Sequence, residues 1–62
     1  MTPKQLQQIR AFTDLSPKAF GEKLGYSRPS IVMKESGQRG IKPPFIKLVQ
    51  KIFKKAFDNV MG

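Results

Sequence analysis

Apolar positions recur along this chain at helical spacing, and short runs of Ser, Thr, Pro and Gly interrupt them. Leu6, Ile9 and Phe12 are spaced to share one face of a helix predicted over Thr2 to Thr13. Its start reads Thr2-Pro3-Lys4-Gln5, a capping box with Pro at the first helical position. Gln5, Gln7 and Gln8 fall on the wet side, with a phosphate contact as the competing use of Gln7 or Gln8, and Asp14 and Leu15 link to the next element, with Leu15 pointing inward. Ser16 can cap a second helix and Pro17 fits its first turn; Ala19, Phe20 and Leu24 then share a face, and Gly25 supplies the stop. Ser27 caps a third helix, Arg28 to Ser36, with Pro29 in its first turn, Ile31 facing inward and Gly37 closing it. A break of about three residues between two short helices is the spacing of a helix-turn-helix. Within the second helix Gly21 gives up roughly 1 kcal/mol of helix propensity relative to Ala, which points to a close approach by the third helix. Tyr26, in the turn, is expected to lie as a lid over the small core.

Beyond Gly37 the sequence GQRGIKPP forbids a continuous helix, so Gly37 to Pro44 is a loop, made basic by Arg39 and Lys42 and anchored by Ile41. From Pro44 onward Phe45, Ile46, Leu48, Val49, Ile52, Phe53, Ala56, Phe57, Val60 and Met61 recur as a broad apolar stripe, with Lys47, Lys51, Lys54 and Lys55 opposite. No breaker precedes Gly62, so one long C-terminal helix is predicted, with a bend near Lys54 allowed. Its first half can cover the helix-turn-helix. Residues 53–61 look too long and too apolar for so small a core, so Phe53, Ala56, Phe57, Val60 and Met61 are assigned to a dimer interface. The alternative is that this segment folds back on its own core. The fold class expected is all-α, in a single domain spanning 1–62.

Composition sharpens the picture. A chain of 62 residues hides only about 60% of its unfolded surface and is marginal alone. With no Cys it has no disulfide or thiolate metal site, which leaves oligomerisation as the common support. Twelve Lys and Arg against four Asp and Glu give a formal charge of +8, the imbalance of a protein that meets a polyanion. No apolar run approaches the ~20 residues of a membrane span and no signal peptide is evident, so a cytoplasmic location is expected. With no His or Cys, and with Asp14, Glu22, Glu35 and Asp58 scattered, neither catalysis nor a metal site is supported. No enzyme activity, cofactor, metal or small-molecule ligand is expected.

The cationic surplus and the two capped helices together point to double-stranded DNA. A recognition helix presents its N-terminal residues to base edges, which selects Ser27, Arg28 and Ser30, followed by Val32 and Met33 one turn on. Arg28 can donate two hydrogen bonds to guanine, and exposed Val32 and Met33 would find partners in thymine methyl groups. Core or interface packing is the competing use of Met33. Lys18 near the second helix start, with Gln38, Arg39 and Lys42 in the loop, supplies candidates for phosphate contacts that position without reading sequence. Lys34 lies nearer the core face and can run its stem along it with the ammonium outward. Arg10 could meet phosphate, but a pair with Glu35 is preferred, because a carboxylate at a helix C-terminus opposes the dipole and needs a counter-charge.

The segment LGYSRPSIVMKESGQRGIKPP, with Leu6, Ile9 and Arg10 upstream, resembles the phage Cro and repressor type (Xre-like) of helix-turn-helix. It is especially similar to short phage regulators that open with Met-Thr-Pro, including those encoded beside anti-CRISPR genes. Over about residues 2–52 the resemblance implies a compact bundle of four or five helices that binds a two-fold related operator as a homodimer. It implies that Ser27, Arg28, Ser30, Val32 and Met33 meet DNA, that the loop follows the phosphate backbone, and that Arg10 pairs with Glu35. Three positions depart from the family pattern: Pro17 for a backbone-contacting glutamine, Gly21 for alanine, and Lys34 for a large apolar residue. The function expected is a transcription regulator, a repressor of its own operon. The alternatives are an antitoxin-like regulator acting by protein contact, or a basic amphipathic protein at a membrane or partner surface.

Overall fold

The computed structural model describes all of residues 1–62 as five helices: α1 (Pro3–Thr13), α2 (Pro17–Leu24), α3 (Arg28–Ser36), α4 (Pro43–Ile52) and α5 (Lys54–Met61). The first three begin as their sequences dictate. Thr2 and Gln5 form the reciprocal capping box, and the hydroxyls of Ser16 and Ser27 accept from the backbone N–H groups of Ala19 and Ser30. α2 and α3 end alike. Gly25 (φ 80°) and Gly37 (φ 84°) turn left-handed, while Tyr26 N–H donates to Gly21 O and Gln38 N–H to Met33 O, the paired closure of a Schellman motif. α1 closes on Asp14, which adopts φ 62° without being glycine.

The core is Leu6 and Ile9 from α1, Phe20 and Leu24 from α2, Ile31 from α3, Phe45 and Val49 from α4 and Ala56 from α5. The ring of Tyr26 stands edge-on to Phe45 at 4.9 Å, half-buried over this core. Phe12 departs from expectation and is 51% exposed. At about 100° per residue it lies roughly 120° round the helix from Leu6, and Arg10 and Thr13 take the positions nearer the core.

The chain does not end in one long helix. Helical bonding runs as far as Phe53 N–H to Val49 O, then restarts with Phe57 N–H to Phe53 O, and Phe53 itself sits at φ −116°, ψ 51°. No Gly or Pro marks this break. What holds it is packing: the Phe53 ring stacks on Phe20 at 4.7 Å with 9° between planes, and the bend lays α5 along α1. Ala56 is thereby buried to 3% exposure, and Phe57, Val60 and Met61 pack half-buried against the same core. A straight continuation would carry these side chains away from α1. No helix is long and apolar enough to cross a membrane.

Candidate nucleic-acid interface

Two devices hold α3 against the rest of the molecule. The first is at its start. A Cβ placed on Gly21 would lie 2.5 Å from Tyr26 O and 3.0 Å from Ile31 Cγ1, so only glycine lets the turn fold back over α2 and bring α3 close. The turn's own carbonyl is the tighter neighbour, ahead of the third helix.

The second device is at the far end of α3. Arg10 Nε donates to Glu35 Oε2 at 2.7 Å and a terminal nitrogen donates to Oε1 at 3.1 Å, a bidentate pair whose side chains are 25% and 10% exposed. The remaining terminal nitrogen donates to Leu15 O at 3.0 Å, which ties in the link between α1 and α2. Gln7 Nε2 donates to Glu35 O at 2.7 Å and satisfies one of the open carbonyls at the helix end. Arg10 is therefore occupied as an ion-pair partner. The sequence offers Gln7 as a solvated residue or a phosphate contact, not as a partner of α3; its spacing of three from Arg10, on the same side of α1, is the signal that joins the two.

With these ends fixed, the faces of α3 are set. Ser30, Ile31, Lys34 and Glu35 turn inward; Ser27, Arg28, Pro29, Val32 and Ser36 turn out, and Met33 is half-buried. The structure thus brings Ser27, Arg28 and Val32 together on one exposed surface. Ser30, expected to join them, is 8% exposed because it shares the inward stripe with Lys34 one turn later. Lys18 is exposed in the first turn of α2, and Gln38, Arg39 and Lys42 are all exposed in the loop after α3.

Charge is unevenly distributed along the chain. From Lys23 to Lys55 stand nine Lys and Arg against the single acid Glu35, a surplus of eight. Outside that span Lys4, Arg10 and Lys18 balance Asp14, Glu22 and Asp58. The whole net charge therefore lies on the span that contains α3, the loop, α4 and the start of α5, where Lys54 and Lys55 stand.

Lys34 is more deeply placed than its sequence implied. It is 8% exposed, and its ammonium lies 5.3 Å from the centroids of both Tyr26 and Phe45. This is cation–π geometry, with the polar head kept near the core rather than extended into solvent.

The residues assigned to a dimer interface lie elsewhere, where α4, α5 and α1 meet. Phe53, Phe57, Val60 and Met61 spend much of their surface on their own core. The large apolar side chains left open nearby are Phe12 and Ile52, at 51% and 41% exposure, and both line a groove with Thr13, Phe53, Lys54, Lys55 and Ala56. Comparison with protein-family models, curated proteins and solved structures gives no match to this chain.

Proposed function

We propose that this protein is a sequence-specific DNA-binding transcription regulator that places α3 in the major groove. The observation that carries the reading is the outward face of α3. It offers Ser27, Arg28 and Val32, a hydrogen-bonding and an apolar set, on a helix braced at both ends and set in the cationic half of the chain. Arg28 is the base-reading donor and Val32 a partner for thymine methyl groups, with half-buried Met33 beside them. Lys18, Gln38, Arg39 and Lys42 contact phosphates. A repressor of its own operon is the regulatory role this reading favours.

The protein acts as a homodimer, because one such helix reads too few base pairs to be selective. Two half-sites would lie about one helical turn, ~34 Å, apart. We place the two-fold contact on the groove of Phe12 and Ile52, next to Phe53 and Ala56 of the segment first assigned to it. Lys54 and Lys55 line that groove, while Asp14, adjacent to the lining residue Thr13, is exposed and unpaired, so a two-fold can set acid against base.

Selection of bound duplexes from a random pool tests the reading. A two-fold related site should be enriched, with affinity that falls steeply with salt. Arg28→Ala should relax preference at one base pair, losing about 1–3 kcal/mol of discrimination, whereas Lys42→Ala should weaken every sequence alike. No enriched site, or identical behaviour of the two variants on selected and random DNA, would overturn it.

A further inference from the structure

Lys34 has no role in the reading above, yet burying a lysine needs a reason. Its side chain makes no hydrogen bond and no ion pair within the protein, although the residue is 92% buried. No side-chain nitrogen or oxygen in the molecule is both sealed from solvent and unpartnered, so the ammonium retains an opening. That opening is a recess of about 340 Å³ lined by Tyr26, Lys34, Arg39, Gly40, Lys42, Pro44 and Phe45. Three cationic residues line it, with no acid among its walls.

The beginning of α4 adds to this. Unlike α1, α2 and α3, α4 has no side-chain cap; Pro43 and Pro44 supply no N–H, and Phe45 N–H, the first available donor, has no acceptor in the protein. An unpartnered ammonium, two further cations and an open helix start around one recess describe a receptor for a compact, multiply charged oxyanion.

We propose that Lys34, Arg39 and Lys42 form a phosphoryl-binding pocket, with the buried Lys34 as its anchor. Tyr26 and Phe45 hold the ammonium in place through their ring faces when the pocket is empty, so an incoming phosphoryl group meets a preorganised donor. Two sources supply this chemistry: a phosphodiester of the DNA backbone, or a small phosphorylated solute. The pocket itself does not depend on the operator reading, since a free anion is enough to fill it.

Titration of the whole protein with inorganic pyrophosphate, followed by amide and lysine side-chain NMR shifts, tests the pocket. Saturable shifts confined to Tyr26, Lys34, Arg39, Gly40 and Phe45 are expected. Lys34→Met keeps the apolar stem and should weaken pyrophosphate about tenfold, while Lys34→Arg should retain it. Shifts spread over all lysines without saturation, or equal affinity in Lys34→Met, would overturn the proposal. Should Lys34→Met unfold, saturable and localised shifts in the unmodified protein, abolished by Arg39→Gln together with Lys42→Gln, decide the matter. Binding of a duplex identifies the source. A shallower salt dependence in Lys34→Met, by roughly one ion, assigns the backbone phosphate. Unchanged duplex binding with lost pyrophosphate binding assigns a free solute. If the protein binds no duplex, the operator reading fails and the pyrophosphate result still stands on its own.

Discussion

The front and the back of this molecule are held together by different means. From Thr2 to Gly37 each helix has a side-chain cap at its start and a left-handed residue at its end. From Lys42 to Gly62 neither helix start has a side-chain cap, and the boundary between α4 and α5 rests on where Phe53 packs. Local chemistry defines the first region; long-range packing defines the second. The helix proposed to read DNA belongs to the first, where its orientation depends on specific hydrogen bonds, and the apolar face proposed to pair belongs to the second.

The sharpest way to break this contrast is at the ion pair. Glu35→Leu leaves the Arg10 guanidinium part-buried without its carboxylate and should cost about 3 kcal/mol in chemical denaturation. Adding Arg10→Met should recover most of that loss, since the cost is an uncompensated charge rather than a missing contact. If neither Glu35→Leu nor Arg10→Met alone loses stability, the front region does not depend on the pair.

Next in size is the break in the back. Phe53→Ala removes the ring stacked on Phe20 and should cost about 2 kcal/mol, less than a fully buried Phe because Phe53 is only half-buried. Ala at this position also favours an uninterrupted helix, so α5 should lose its seat on α1. Paramagnetic labels on α1 and α5 would report the separation; unchanged distances would show that the bend is encoded locally after all.

The smallest effects compare caps directly. Ser27→Ala should destabilise by about 1 kcal/mol, whereas Lys42→Ser, which offers a hydroxyl to the free Phe45 N–H, should stabilise by about 0.5–1 kcal/mol. Thermal denaturation at fixed salt measures both, and shifts of opposite sign would confirm that the two regions differ in capping.

This contrast also explains what could be read in advance. The boundaries of α1, α2 and α3 were legible because Thr2, Ser16, Ser27, Gly25 and Gly37 mark them in the sequence, and the Arg10–Glu35 pair because an acid at a helix end needs a partner. The break at Phe53 is legible only as a bend that the sequence allows near Lys54, since an apolar stripe without Gly or Pro is consistent with both a straight helix and a folded-back one. Distance from the helix start does not place Ser30, which its face turns inward with Lys34, and a spacing of three from Ile9 does not bury Phe12, which lies at the edge of the apolar face. Lys34 was located near the core but its aromatic cradle was hidden, because Phe45 reaches it from an element eleven residues away in the chain.

The double hold of Gln7 and Arg10 on Glu35 has a dynamic consequence. A short helix ordinarily frays from its last turn, but here that turn is fastened to the middle of α1. Amide protons in α3 should therefore exchange with solvent only when the whole domain opens, so that the segment facing outward is also among the slowest to come undone.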